Sequence, residues 1–396
     1  MENKHFPEGQ LLSEYKILMS SNSDPKLIRV FVHLSVDFGA THWRRWYAAG
    51  TLGGINDPLP YGYYRAAEDG CRIVYSEDKD ENKLQQALRL GVKLLTGTDL
   101  VHAWRNRKGI CEADIVWTHT ELQYIAVLLL FHILFWKRRP KLIAQSVWLF
   151  DRWESFGSIK RWFLSRLIRK ADILTVLSPE NLAIARRLFP CVRSELVLFG
   201  ISTDTVVPVK KQKPHQPLHI FSIGNDPDRD WPVLIRAMRG LPDCALKIAS
   251  WNFDKSLVGP NDNIDLLYIE SNSALFEAYD WADIVVVTIK DNRHASGITV
   301  LQEATIRGLP VICTDTGGLR AYFSESEICF IPLGDPTAIQ KAIAALAGDN
   351  HLRWGLAERA QARMTAGGLN SRSYARRQAE LSRELLASDI SRAALN

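Results

Sequence analysis

Short apolar runs recur along the chain, and each is followed by a stretch whose apolar positions fall at helical spacing. Leu27 to Leu34 (LIRVFVHL) predicts a first strand; Cys71–Tyr75, Asp114–Trp117, Leu142–Gln145, Asp172–Val176 and Ser194–Phe199 predict others. Between them helices are expected over Pro58–Asp69 and near residues 120–136, 158–171 and 179–189. The segment Val206 to Pro217 (VVPVKKQKPHQP) has no period and is rich in Pro, Lys and Gln, which predicts a linker. A second series follows: strands at Leu218–Ile223, Ala245–Ala249, Ile284–Val287 and Leu309–Cys313, with helices at 231–239, from Ser296 to Gly308, and at Pro336–Ala347. Ser371 to Ala387 is a charged amphipathic helix, expected to cross back and brace the first domain.

Strands alternating with helices are the mark of parallel sheets wound by crossover helices. The fold class is therefore α/β, with two Rossmann-like doubly wound domains over residues 1–205 and 206–370, and a C-terminal helix over 371–396. Two such domains enclose a cleft between the carboxyl ends of their strands, where ligands bind.

At 396 residues and 46% apolar content the chain can bury two cores of ordinary size. The first 26 residues are polar, and the longest apolar run, Ile125 to Trp136, is too short to span a bilayer. Six scattered cysteines form no close pair, so no zinc site or disulfide framework is expected, and a cytoplasmic setting fits. Charge is uneven: residues 1–200 hold 28 Lys/Arg against 21 Asp/Glu, the remainder 21 against 23. Basic and apolar positions mix along 120–141 and 158–171, so these helices are candidates for peripheral contact with an anionic inner membrane surface; ordinary packing with a solvated charged face is the alternative. No nucleic-acid-reading module is present.

The chemistry concentrates between Ala295 and Gly318 (ASGITVLQEATIRGLPVICTDTGG). Ser296 is placed to cap a helix, and Gly308 can take the left-handed geometry that ends one. With Gly297, Ile298 and Thr299 in its first turn, the helix offers free backbone N–H groups and a positive dipole end to a phosphate. Glu303 lies about two turns further in, where its carboxylate could accept hydrogen bonds from two vicinal sugar hydroxyls. Phosphate in front and a diol behind describe a nucleotide.

The same run resembles the nucleotide-sugar signature of glycosyltransferase family 4 (glycosyl transferases group 1) and its GT-B fold relatives. Three more segments resemble the family in the same order: Gly53-Gly54 after Thr51, the loop from Gly224 through Arg229 to Ala237, and Asp172–Ser178 with Phe199–Asp204. The resemblance implies that Glu303 binds the donor ribose, that Arg229 contacts the diphosphate and stabilises the leaving group, and that Gly53, Gly54 and Gly224 let backbone approach the donor. It implies that His119, after the strand at 114–117, lies near the transferred sugar; a proton-transfer group and a helix-capping cluster with Thr118, Thr120 and Glu121 are the readings of the residues alone. Two departures stand out. The family's second acid falls at Ala295, leaving His294 or Ser296 as candidate sugar contacts, and one extra residue separates Gly297 from Glu303. A further basic residue is replaced by Asn225. Asp226-Pro-Asp228 also has the spacing of a metal-binding acid pair, although acids before a helix are natural caps and no metal is expected.

These features imply a retaining GT-B hexosyltransferase. It would move sugar from a UDP- or GDP-linked donor to a glycan or lipid-linked acceptor in bacterial cell-surface or exopolysaccharide synthesis, without a cofactor. A GT-B nucleotide-sugar epimerase and a non-catalytic binding protein are the alternatives.

Overall fold

The computed structural model describes residues 27–134, 139–259 and 263–394. The polar leader and the basic residues Lys137 and Arg138 lie outside the described residues.

The front lobe opens with β1 (Ile28–His33), helix α1 (Ala40–Ala49), a 3₁₀ segment (Pro60–Asp69) and β2 (Cys71–Tyr75). Helices α2 (Lys83–Thr96), α3 (Leu100–Arg105) and α4 (Arg107–Glu112) lead to β3 (Ile115–Thr118), α5 (Glu121–Ile133) and β4 (Lys141–Ser146). Then come α6 (Leu149–Arg152), α7 (Ser158–Ile168), β5 (Ile173–Val176), α8 (Pro179–Leu188) and β6 (Arg193–Leu196). The rear lobe runs β7 (Leu218–Ile223), α9 (Trp231–Met238), β8 (Cys244–Ala249), β9 (Ile264–Leu267), α10 (Asn272–Trp281) and β10 (Ile284–Val287). It closes with α11 (Ile298–Ile306), β11 (Val311–Thr314), β12 (Cys329–Ile331), α12 (Pro336–Gly348) and α13 (Asn350–Met364), before the long α14 (Ser371–Ala394).

Each lobe holds one six-stranded parallel sheet, ordered β2-β1-β3-β4-β5-β6 and β12-β11-β10-β7-β8-β9. Registers are regular: Val30 sits between Ile73 and Ile115, and Val285 faces Val311 and Phe221. The central strands are buried on both faces, which is why they read as near-continuous apolar runs rather than alternating ones. In each sheet the strand order reverses once, between β1 and β3 and between β7 and β10. The loops leaving those strands therefore diverge to open a crevice.

Most expected elements form within a few residues of their expected bounds, and β7 and β10 match throughout. The 120–136 helix forms as α5 but is a core element: Tyr124 to Leu128, Leu130 and Phe131 are all buried. Its apolar surround belongs to a helix buried along most of its length, with Leu122, His132 and Ile133 exposed near its ends, so its candidacy as a membrane helix is withdrawn for the described residues. Short polar helices such as α2 and α10 gave no clear period and went unread.

α14 packs on the 3₁₀ segment and on β4, so the chain returns to the front lobe after completing the rear one. The crossing is tight. Ser371 N–H donates to Ile201 C=O at 2.9 Å, and a Cβ at Gly200 would collide with the Asn370 backbone. Backbone cannot give way as a flexible side chain can. Gly200→Ala is therefore expected to cost about 1–3 kcal/mol, read from the midpoint of urea unfolding. An unchanged midpoint would mean that the two segments part freely.

Candidate active site

The loops leaving the two switch points meet around the start of α11. Ala295 and Gly297 both adopt left-handed backbone (φ 56° and 83°), so the chain turns twice before the helix begins. Such a conformation costs a non-glycine residue about 1 kcal/mol or more. Asn292 holds it in place, its Oδ1 accepting from the N–H groups of His294 (3.2 Å) and Ser296 (3.1 Å). Gly317 leaves room for that amide, since a Cβ there would strike Asn292 Oδ1. A Cβ at Gly318 would strike Glu180, Pro179 and Ser178 of the front lobe. The glycine pair thus brings three segments together, a role that its reading as a turn signal did not contain.

This double turn corrects the expected cap. Gly297, not Ser296, occupies the N-cap of α11, and Ser296 Oγ instead donates to Asp226 Oδ2 at 2.7 Å. The amides of Thr299 and Val300 have no backbone partner, so the helix mouth keeps free donors.

Arg229 lies beside that mouth. It is only 5% exposed. Its guanidinium threads between two positions without side chains: a Cβ at Gly224 would overlap Nε, and one at Gly297 would sit 2.8 Å from Nη1. Nε and Nη1 have no hydrogen-bond partner. Burial lowers the guanidinium's pKa from its ordinary value, with Asp226 working in the opposite direction. A buried cation that retains unpartnered donors next to a helix N-terminus is a site for an anion.

Glu303 projects from α11 into a cavity of about 250 Å³ lined by Gly53, Gly54, Asn225, Trp251, Ile269, Leu275 and Thr299. Its Oε2 accepts from Tyr279 Oη–H (2.9 Å) and its Oε1 from the Ile55 amide of the front lobe (3.2 Å). Gly54 is obligatory here, because a Cβ would overlap Oε1. Burial raises the carboxyl's pKa, while Tyr279, the Ile55 amide and Arg229 draw it back. Asn225 shapes the opposite wall, its Oδ1 accepting from Trp251 N–H at 2.7 Å. A larger open hollow of about 860 Å³ lies near Pro214–Leu218 and Ile264, at the amino ends of the rear strands and away from these groups.

His294 joins the lobes. Its Nδ1 meets Asp151 of the front lobe at 3.1 Å, and Nε2 lies 3.5 Å from Asp228 and 3.8 Å from Asp226. Burial opposes the charged ring, but the hydrogen bond to Asp151 and the charge of Asp226 outweigh it and push the pKa up to about 9. The adjoining Arg293 amide donates to the same Asp151 at 2.8 Å. Asp226, Asp228 and His294 bring donor atoms within 4.8 Å of one another, as a metal site would. The contacts of His294 with Asp151, Asp226 and Asp228 also make the trio part of an ion-pair cluster. His215, His219 and Asp283 form a second such group, in which the two rings stack face to face at 4.2 Å.

His119 stands at the end of β3, apart from the Glu303 cavity. Tyr61 lies flat on its ring at 3.5 Å, and Tyr63 Oη approaches Nδ1 at 3.0 Å. Burial drives its pKa down to about 3, so the imidazole is neutral. Thr120 caps α5 in a capping box with Gln123, and Glu121 accepts from the amides of Val147 and Trp148. The neighbours of His119 thus cap and brace, while His119 itself does neither.

Residues 254–363 match the family model for glycosyl transferases group 1. A sucrose-phosphate synthase from Thermosynechococcus elongatus aligns over 91% of this chain and 100% of its own, at 16% identity and a TM-score of 0.67. The Anabaena protein HepE, in complex with UDP-glucose, aligns over 91% and 99% at 12% identity and a TM-score of 0.61. A glycosyltransferase from Rickettsia africae aligns over 92% and 99% at 14% identity and a TM-score of 0.59. No curated protein matches the chain in sequence. The fold is GT-B, and the family match lies within the rear lobe.

Asp151, Tyr279 and Trp251 went unnoticed in the sequence, because each is ordinary where it stands and becomes local only through folding. The His294–Asp151 bridge has a signed pH dependence. With the His294 pKa raised from about 6.5 to about 9, its contribution is complete below the lower value and is lost as pH rises through the upper one. Unfolding free energy is expected to fall by about 1–3 kcal/mol from pH 7 to 10 in the parent, and less steeply in Asp151→Asn. Parallel slopes in denaturant titrations would contradict the bridge.

Proposed function

We propose that this protein transfers a hexosyl unit, with retention, from a nucleoside diphosphate sugar to a sugar hydroxyl. The observation that carries the reading is the pairing of the unpartnered Arg229 guanidinium at the mouth of α11 with the Glu303 carboxylate two turns along the same helix. The first matches a diphosphate in charge and donor geometry, the second a ribose diol. The 250 Å³ cavity beside Glu303 suits a nucleobase, and HepE is known in complexes with UDP and UDP-glucose.

As the glycosidic bond breaks, negative charge builds on the departing diphosphate, and Arg229 with the free amides of Thr299 and Val300 would stabilise it. Gly297, Ile298 and Gly224 let backbone come close to the phosphates, and Gly53 and Gly54 close over the donor from the front lobe. The Ser296, His294 and Asp226 cluster faces the position left by Ala295 and would meet the transferred sugar. Closure of the lobes limits donor hydrolysis. No metal or cofactor is invoked: UDP- or GDP-linked sugar is the donor.

The acceptor is proposed to be a glycan or lipid-linked saccharide, as in bacterial surface-polysaccharide synthesis, presented at an anionic membrane. Supporting this, α7 exposes Ile159 (85%), Trp162 (61%) and Phe163 among Lys160, Arg166, Arg169 and Lys170. On the same side of the sheet α2 exposes Leu84 (79%), Leu94 (87%) and Leu95 (88%). No helix among the described residues is long and apolar enough to cross a membrane.

Glu303→Ala is expected to weaken donor binding about 10- to 100-fold by calorimetry, with the fold retained. Unchanged affinity would remove the ribose assignment, and conversion of donor without acceptor would favour an epimerase. In vesicle sedimentation the parent is expected to bind anionic more than zwitterionic vesicles, and Leu94→Gln/Leu95→Gln/Trp162→Ala to lose that binding. Equal recovery in the supernatant for both proteins would reject the membrane surface.

A further inference from the structure

Four polar side chains near β3 form a closed chain whose distances favour one placement of the hydrogens. Gln145 Nε2 lies 2.9 Å from the His119 carbonyl, which can only accept, so the amide orientation is fixed with nitrogen on that side. Gln145 Oε1 is then an acceptor, and the Tyr374 hydroxyl at 2.6 Å must donate to it. With its one hydrogen used, Tyr374 Oη can only accept from Tyr63 Oη, 2.7 Å away. The Tyr63 hydrogen is in turn used, so the 3.0 Å contact with His119 Nδ1 requires the hydrogen to sit on the imidazole. The remaining contact, Gln145 Nε2 to His119 Nδ1 at 3.4 Å, is too long to compete. Reversing either tyrosine hydroxyl leaves two oxygens facing each other at 2.6 or 2.7 Å with no hydrogen between them, and the opposite tautomer leaves the lone pairs of Nδ1 and Tyr63 Oη facing at 3.0 Å.

We propose that Tyr374, on the C-terminal helix α14, is a positioning residue that fixes His119 in the Nδ1–H tautomer. Nε2 then carries a lone pair and takes no hydrogen-bond partner among the described residues. It accepts a hydrogen bond from a hydroxyl of the sugar substrate, a role that rests on the glycosyl-transfer reading above. Tyr61, stacked on the ring in left-handed backbone (φ 54°), holds the imidazole plane. The neutral ring, with its depressed basicity, suits a hydrogen-bond acceptor rather than a proton-abstracting base.

The tautomer is read without substrate, so it stands or falls separately from the transfer reaction. In two-bond ¹H–¹⁵N spectra of ¹⁵N-histidine protein, with His119→Gln used for assignment, the parent is expected to show Nδ1–H and a lone pair on Nε2. An Nε2–H signal in the parent overturns the proposal without any test variant having to fold. In Tyr374→Phe the Tyr63 hydroxyl loses its acceptor and turns to donate to Nδ1, so the hydrogen is expected to move to Nε2. Sugar-transfer kcat/KM should then fall about tenfold, with nucleotide affinity unchanged. A Tyr374→Phe protein that keeps Nδ1–H overturns the relay. A tautomer switch with unchanged kcat/KM overturns the sugar contact.

Discussion

A single cation sets the terms for the rest of the cleft. Arg229 is enclosed by protein, lies beside the positive end of α11, and forms no ion pair among the described residues. An enclosed charge without a partner is among the more expensive arrangements in a folded protein. Here it is tolerated because two glycines make room for it and because Asp226 and Glu303 act on it from a distance. The loop around it is strained as well, with Ala295 held in left-handed backbone by one asparagine side chain. Strain in one loop beside an unsatisfied charge from another is an arrangement suited to holding an anion.

The same loop fastens the two lobes together. Glu303 accepts from Ile55, His294 pairs with Asp151, and Gln302 bonds both the Phe199 carbonyl and the Ile201 amide. Tyr322 Oη donates to the Leu177 carbonyl nearby. Groups proposed to meet the ligand therefore sit within a few residues of groups that meet the other lobe. Binding and closure share one set of side chains, so a ligand that adds interactions here also biases the hinge.

The front lobe depends on the last helix in a similar way. Tyr374 arrives from more than two hundred residues downstream to complete a hydrogen-bond chain begun at β3. Trp117 Nε1 donates to Ser382 Oγ one helical face further on. The C-terminal helix is thus a wall of the front lobe's polar interior as well as its brace.

Sequence alone determined much of this. The buried parallel strands read as apolar runs, and the placing of Gly297 at the start of one helix with Glu303 about two turns along it followed from helix geometry within one segment. These are local properties, set by backbone preference and by which positions need burial. Tertiary structure decided the rest. Packing enclosed Arg229 between two glycines; Ser296 looked like a cap, yet two left-handed residues turned it towards Asp226. The apolar helix near 120–136 proved to be core, whereas the exposed leucines of α2 were not foreseen. Partners such as Asp151, Tyr279 and Tyr374 are distant in sequence, and no local spacing announces a contact that exists only once two sheets and a returning helix have been packed together.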